Sequence, residues 1–143
     1  MPAKGLEVID STVRKTQEWI NEQRERRDWG SDRDALCLLR VMLHQIHDRI
    51  SIAETAQLSA QLPMLIGGMF FEGWQPHLVP LADRSGADLI GAIRHHIGDV
   101  VDYRGPEDIM TVFKLLNVRI LIGEINDISK YSVARDAHWR LER

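Results

Sequence analysis

A single cysteine, Cys37, stands in a chain of 143 residues, which excludes an internal disulfide and fits a reducing compartment. Aromatic residues are scarce, at 6%, and no apolar run approaches the ~20 residues that a membrane-spanning helix needs. Neither sign of charge dominates. A net charge of −3 and a pI near 6.0 give no global attraction to nucleic acid or anionic lipid. The first residues, MPAKGLEVIDS, lack the apolar centre of a secretory signal. Also missing are a phosphate loop, a G-x-S-x-G elbow, a dinucleotide fingerprint, an HExxH pair and the Glu-x-x-His pair of di-iron bundles. The expectation is a cytoplasmic chain forming one domain over residues 1–143, with no cofactor and no catalytic signature.

Helix signals fill most of what remains. Ser51-Ile52-Ala53-Glu54 fits a capping box, in which the serine oxygen accepts a first-turn amide and the glutamate returns to the serine amide. Ser31-Asp32-Arg33-Asp34 and Ser85-Gly86-Ala87-Asp88 resemble it, with the shorter aspartate in the last place. Gly105-Pro106-Glu107-Asp108 sets proline at a first helical position, with acids where the helix dipole favours them. Asp10-Ser11 offers a further cap. Leu36, Leu39, Met42, Leu43 and Ile46 form one helical stripe over about 32–49. Ile109, Val112, Phe113 and Leu116 repeat it over about 106–119. Val13, Thr16, Trp19 and Ile20 suggest a first helix near 11–27, and Leu89, Ile90, Ile93 and Ile97 another near 84–97. No stretch alternates long enough for a strand. The fold class read from this pattern is all-α, with about eight short helices and a proline-bearing connector at about 74–84.

The two halves look like copies. Adding 70 to a residue number carries Arg49 to Arg119, Ile50 to Ile120, Ile52 to Ile122 and Glu54 to Glu124. Apolar positions follow the same register, as in Leu39 and Ile109 or Leu43 and Phe113. Helical periodicity alone aligns apolar positions, so the Arg and Glu matches carry the inference of two pseudo-symmetric four-helix repeats, about 8–74 and about 84–142, packed as one domain. An ion pair across each inter-helix turn, Arg49 with Glu54 and Arg119 with Glu124, is the simplest role for those residues.

Residues 43–74, LHQIHDRISIAETAQLSAQLPMLIGGMFFEGW, resemble the signature of the bacterial DUF2267 proteins, a family of unknown function. Carrying the resemblance are the DRI turn, the capped helix, AQLP, and an aromatic pair before EGW. It extends over nearly the whole chain: Trp19 falls where the family often has Trp-Leu, and RILIGEINDI at 119–128 is similar to its second GE motif. The chain departs from the pattern in places. Gly67-Gly68 stands where a basic residue is common, Phe70-Phe71 where Tyr-Tyr is common, His47 for arginine, and Ser132-Val133 for Leu-Pro. The resemblance implies a fold and no reaction.

Few residues offer chemistry. His44 and His47, three apart on one helix, are candidate ligands for a shared metal, but no third ligand is evident and Lys114 and Asn117 replace them in the second half. His95 and His96 point about 100° apart and make poor partners. Cys37 lies on or beside an apolar stripe with no activating base, as a small core residue would. Arg14, Lys15, Arg24, Arg26 and Arg27 make the first helix locally basic, a candidate phosphate-binding face, yet Glu18, Glu22 and Glu25 are interleaved.

Phe70, Phe71, Glu72 and Trp74 are candidate binding residues in an aromatic-rich segment. Within it Pro63 opens a short helix whose Met64, Leu65 and Phe71 are expected to face the core. A mid-helix glycine costs about 0.5–1 kcal/mol relative to alanine, so Gly67 and Gly68 are expected to allow close approach of another helix. The leading expectation is a non-catalytic protein acting through an unidentified protein partner or as a homo-oligomer. A metal protein or enzyme using His44 and His47, and a nucleic-acid binder using the first helix, are the alternatives.

Overall fold

The structure is a computed structural model that describes residues 6–120. Glu124, the rest of the second GE motif and the closing part of the second repeat lie outside the described residues. Six α-helices occur among the described residues, rather than about eight along the whole chain, together with one 3-10 turn at Pro76–Leu78 and no strand. They are α1 (Glu7–Arg26), α2 (Asp32–Arg49), α3 (Ile52–Ser59), α4 (Met64–Phe70), α5 (Gly86–Ile97) and α6 (Pro106–Arg119).

Most boundaries follow from local chemistry. Ser31 and Ser85 accept the backbone N–H of Asp34 and Asp88, and Ser51 with Glu54 closes both halves of its capping box. Each arrangement satisfies amides that a helix start leaves without a partner. Pro106 sits at the start of α6 as expected. The first helix differs: it starts at Glu7 and takes Asp10 and Ser11 inside it, with no side-chain cap at Leu6. Two acids in that first turn, Glu7 and Asp10, suit the dipole without a cap.

Helix α2 is central, packing on α1, α4, α5 and α6. Of its expected stripe Leu39, Met42, Leu43 and Ile46 are buried but Leu36 only half so, Leu38 taking the core place instead; Ile109, Val112, Phe113 and Leu116 of α6 are buried. On α1, Thr16, Trp19 and Ile20 are buried but Val13 is 52% exposed, because the N-terminal turns extend beyond the packed body. Trp29, which no periodicity marks, is buried in the corner between α1 and α2. Its indole Nε1–H donates to Asp108 (3.2 Å), whose carboxylate is wholly buried and also accepts Arg27 Nε (2.9 Å) and the Arg104 amide. The carboxylate thus ties the α1–α2 corner to the start of α6. The connector is held to the end of α2 by the Leu81 amide, which donates to the Asp48 carbonyl (2.9 Å).

The expected Arg49–Glu54 pair does not form. Glu54 spends its carboxylate on the Ser51 amide, while Arg49 turns inward to Gln45 (2.8 Å) and to Asp88 of α5. A guanidinium that is 2% exposed needs an acid within its reach, and the half-buried Asp88 of α5 supplies it. Arg119, whose expected partner Glu124 lies outside the described residues, pairs with Glu22 (2.7 Å) and approaches Glu18 (4.0 Å) on α1.

Candidate functional site

Arg40, His44 and His47 recur at four- and three-residue intervals on α2 and so share one face. That face receives the end of α4. Arg40 grips the Glu72 carboxylate at 2.8 and 2.9 Å. His44 Nε2–H donates to the Met69 carbonyl (2.8 Å), and His47 Nε2–H to the Glu72 carbonyl (3.1 Å). A carbonyl only accepts, so each Nε2 must carry the proton. Both carbonyls lie at or just past the end of α4, and that of Met69 also accepts the Glu72 amide (3.2 Å). His47 Nδ1 is 2.8 Å from Asp48 Oδ1 but outside hydrogen-bonding geometry.

The histidine pair is therefore a clamp on α4. Both Nε2 atoms are engaged with backbone, and no group of three or more His, Cys, Asp or Glu side chains among the described residues could hold a metal ion. His96 Nδ1 bonds the Ala92 carbonyl (2.9 Å), while the adjacent His95 ring meets it edge-on. Cys37 is half-buried against the core.

The aromatic segment is divided between core and surface. Phe70 and Ile66 are fully buried, whereas Met64, Leu65 and Phe71 are exposed, which corrects the expected facing of α4 by about half a turn. Residues 66 and 70 are one turn apart and meet α2; 64, 65 and 71 fall on the opposite side. Phe71 stacks edge-on against Trp74 at 5.2 Å, and that pair bridges from Phe70 to the connector. Glu72 is occupied by Arg40. Of the four candidate binding residues, only Phe71 and Trp74 retain free apolar surface.

Gly67 and Gly68 make no close helix contact either. A Cβ on Gly67 would lie 4.0 Å from the Ser59 carbonyl, and one on Gly68 would meet nothing within 4 Å. Nor is the first helix a free basic face: Arg24 pairs with Asp32 (2.8 Å), Arg26 with Glu22 (2.6 Å), Arg27 with Asp108, and Arg14 approaches Glu18.

An open groove lies elsewhere, where α1 meets the start of α4. The Leu65 amide donates to Thr12 Oγ1 (2.8 Å), which joins the two helices. Beside that bond runs a groove of about 500 Å³, walled by Val8, Ser11 and Thr12 on one side and Leu62, Pro63 and Met64 on the other. Val8 (56%) and Met64 (68%) are exposed, one on each wall, while Leu6, Ile9 and Val13, also exposed, lie on the far side of α1. Apolar exposure at a groove of this kind marks interaction surfaces in soluble proteins. Sequence reasoning assigned Val13 to the core and left the groove unseen. Leu6, Ile9 and Val13 continue the spacing of Thr16 and Ile20, but that stripe lies on another face of α1 from Val8, Ser11 and Thr12, which form no apolar stripe of their own.

No helix among the described residues is long and apolar enough to cross a membrane. No curated protein matches the chain. The family model for uncharacterised conserved proteins of the DUF2267 type matches residues 16–131. With α2, the capped α3 and the AQLP…EGW segment in place, and the match spanning most of its length, the chain belongs to the DUF2267 family.

Proposed function

We propose that this is a non-catalytic, cytoplasmic helical protein that acts by binding another protein chain through the groove between α1 and α4. The observation that carries this reading is the open groove itself, with exposed Val8 on one wall and exposed Met64 on the other. An interface centre of this kind combines apolar anchors with a charged rim, here Glu7 and Lys15.

Binding is tested with Val8→Asp and Met64→Asp. Both positions are exposed, so unfolding midpoints should stay within about 0.5 kcal/mol of the parent. Association, followed by sedimentation velocity and by pull-down from the native cell, should be lost in both variants. Recovery of the same associated species with parent and variants would overturn the reading.

The scaffold behind the groove is proposed to be a tandem duplication forming a single domain, with repeats at about 8–74 and 84–142. Three observations support it. Arg49 reaches position 88 and Arg119 approaches position 18, so the two ion pairs exchange under the shift of 70. Asp28 and Gly98, also 70 apart, both have positive φ after a helix, at 54° and 67°. Ile50 and Ile120 end α2 and α6 in the same extended conformation.

A further inference from the structure

We infer that the occupant of the α1–α4 groove is a second copy of this chain, docked antiparallel about a twofold axis passing near Ser11. The inference rests on the binding role proposed above and adds the identity of the partner.

Glu7, Ser11 and Lys15 are four residues apart and lie along one face of α1, the face that walls the groove. Glu7 and Lys15 are separated by about 12 Å along the helix, an acid toward one end of the groove and a base toward the other. Neither has an ion-pair partner among the described residues, whereas Arg14, Glu18 and Glu22 on the same helix do. A partner of one charge could satisfy only one end. A second α1 running in the opposite direction satisfies both, since its Lys15 faces Glu7 and its Glu7 faces Lys15.

That reciprocity is what an isologous interface requires: residue i meets residue j, and j meets i. Ser11, at the crossing point, would meet Ser11 of the second copy, and its small side chain lets the helices approach. Val8 and Met64 from each copy then cover one another beside the crossing. The two ion pairs set direction and register, and the apolar walls supply the driving force.

Sedimentation equilibrium of the full chain over a range of concentrations tests this arrangement. The parent should show a reversible monomer–dimer equilibrium. Glu7→Lys and Lys15→Glu each turn two attractive pairs into two repulsive ones and should raise the dissociation constant about tenfold. The double variant should return to within about threefold of the parent, as should a mixture of the two single variants, which restores both pairs across a heterodimer. Circular dichroism controls for folding, and the substituted positions are at the surface.

A parent that stays monomeric throughout would overturn the inference. So would charge variants that dimerise as the parent does. If Val8→Asp abolishes association while the charge exchanges change nothing, the groove still binds protein and antiparallel self-pairing is wrong. If Val8→Asp also changes nothing, both readings fail.

Discussion

At the scale of single residues, the polar side chains of this protein hold backbone and helices together. His44 and His47 were candidate ligands because two histidines three apart can share a metal; the structure gives both Nε2 atoms to carbonyls at the end of α4. Their spacing was legible in the sequence. Their partners were not, since a hydrogen bond to a backbone carbonyl leaves no side-chain signature. Asp108 is the sharper case. It read as a first-turn acid favoured by the helix dipole, and it is a fully buried carboxylate bonded to Arg27 and Trp29. Asp108→Asn keeps the shape but removes the charge facing Arg27, and leaves an amide where an acceptor is needed. We expect a loss of about 2–4 kcal/mol, read as a lower urea midpoint with an unchanged slope. A loss below ~0.5 kcal/mol would show that the cluster is dispensable.

At the scale of elements, caps and phase behave differently. The starts of α2, α3 and α5 were legible because a serine there accepts an amide three residues on, and that of α6 because proline fixes φ and lacks the N–H that a first helical position leaves unpaired. Ser51→Ala should therefore cost about 1 kcal/mol, measured by thermal or urea unfolding, since the amide of Glu54 loses its acceptor. The phase of α4 was not legible. Seven residues with apolar side chains on several faces fit more than one orientation, and packing on α2 selects Ile66 and Phe70. The glycines follow the same logic. Since a methyl group on Gly68 would meet open space, Gly68→Ala should stabilise the protein by about 0.5–1 kcal/mol rather than clash. Gly73 has φ of 72°, so Gly73→Ala in the same assay should be destabilising instead. Opposite signs from two glycines five residues apart would separate helix propensity from backbone conformation.

At the scale of the whole molecule, ion pairs join segments distant in sequence. Arg49 reaches α5 and Arg119 reaches α1. Burial raises the Glu22 pKa, but hydrogen bonds from Arg26 and Arg119 more than offset that, holding it below its ordinary value of 4.5. A depressed carboxylate pKa contributes stability that is present above the unfolded value and lost as pH falls through the folded one. Glu22→Gln should therefore be less stable than the parent at neutral pH, and the difference should close below pH 4.5, as followed by unfolding midpoints across an acid titration. A difference that persists unchanged into acid would assign the effect to packing instead. The all-α class, the helix order and the family signature were determined by the sequence itself, because periodicity, caps and motif spacing act within a few residues along the chain. Only the tertiary structure decided which acid each arginine meets, which face of α4 is buried and where α1 outruns its neighbours. Those outcomes depend on surfaces brought together from distant segments, and no local pattern encodes them. The exposure of the first turns of α1 is such an outcome: one apolar stripe is core at Ile20 and surface at Ile9 because the body of the protein covers one and not the other.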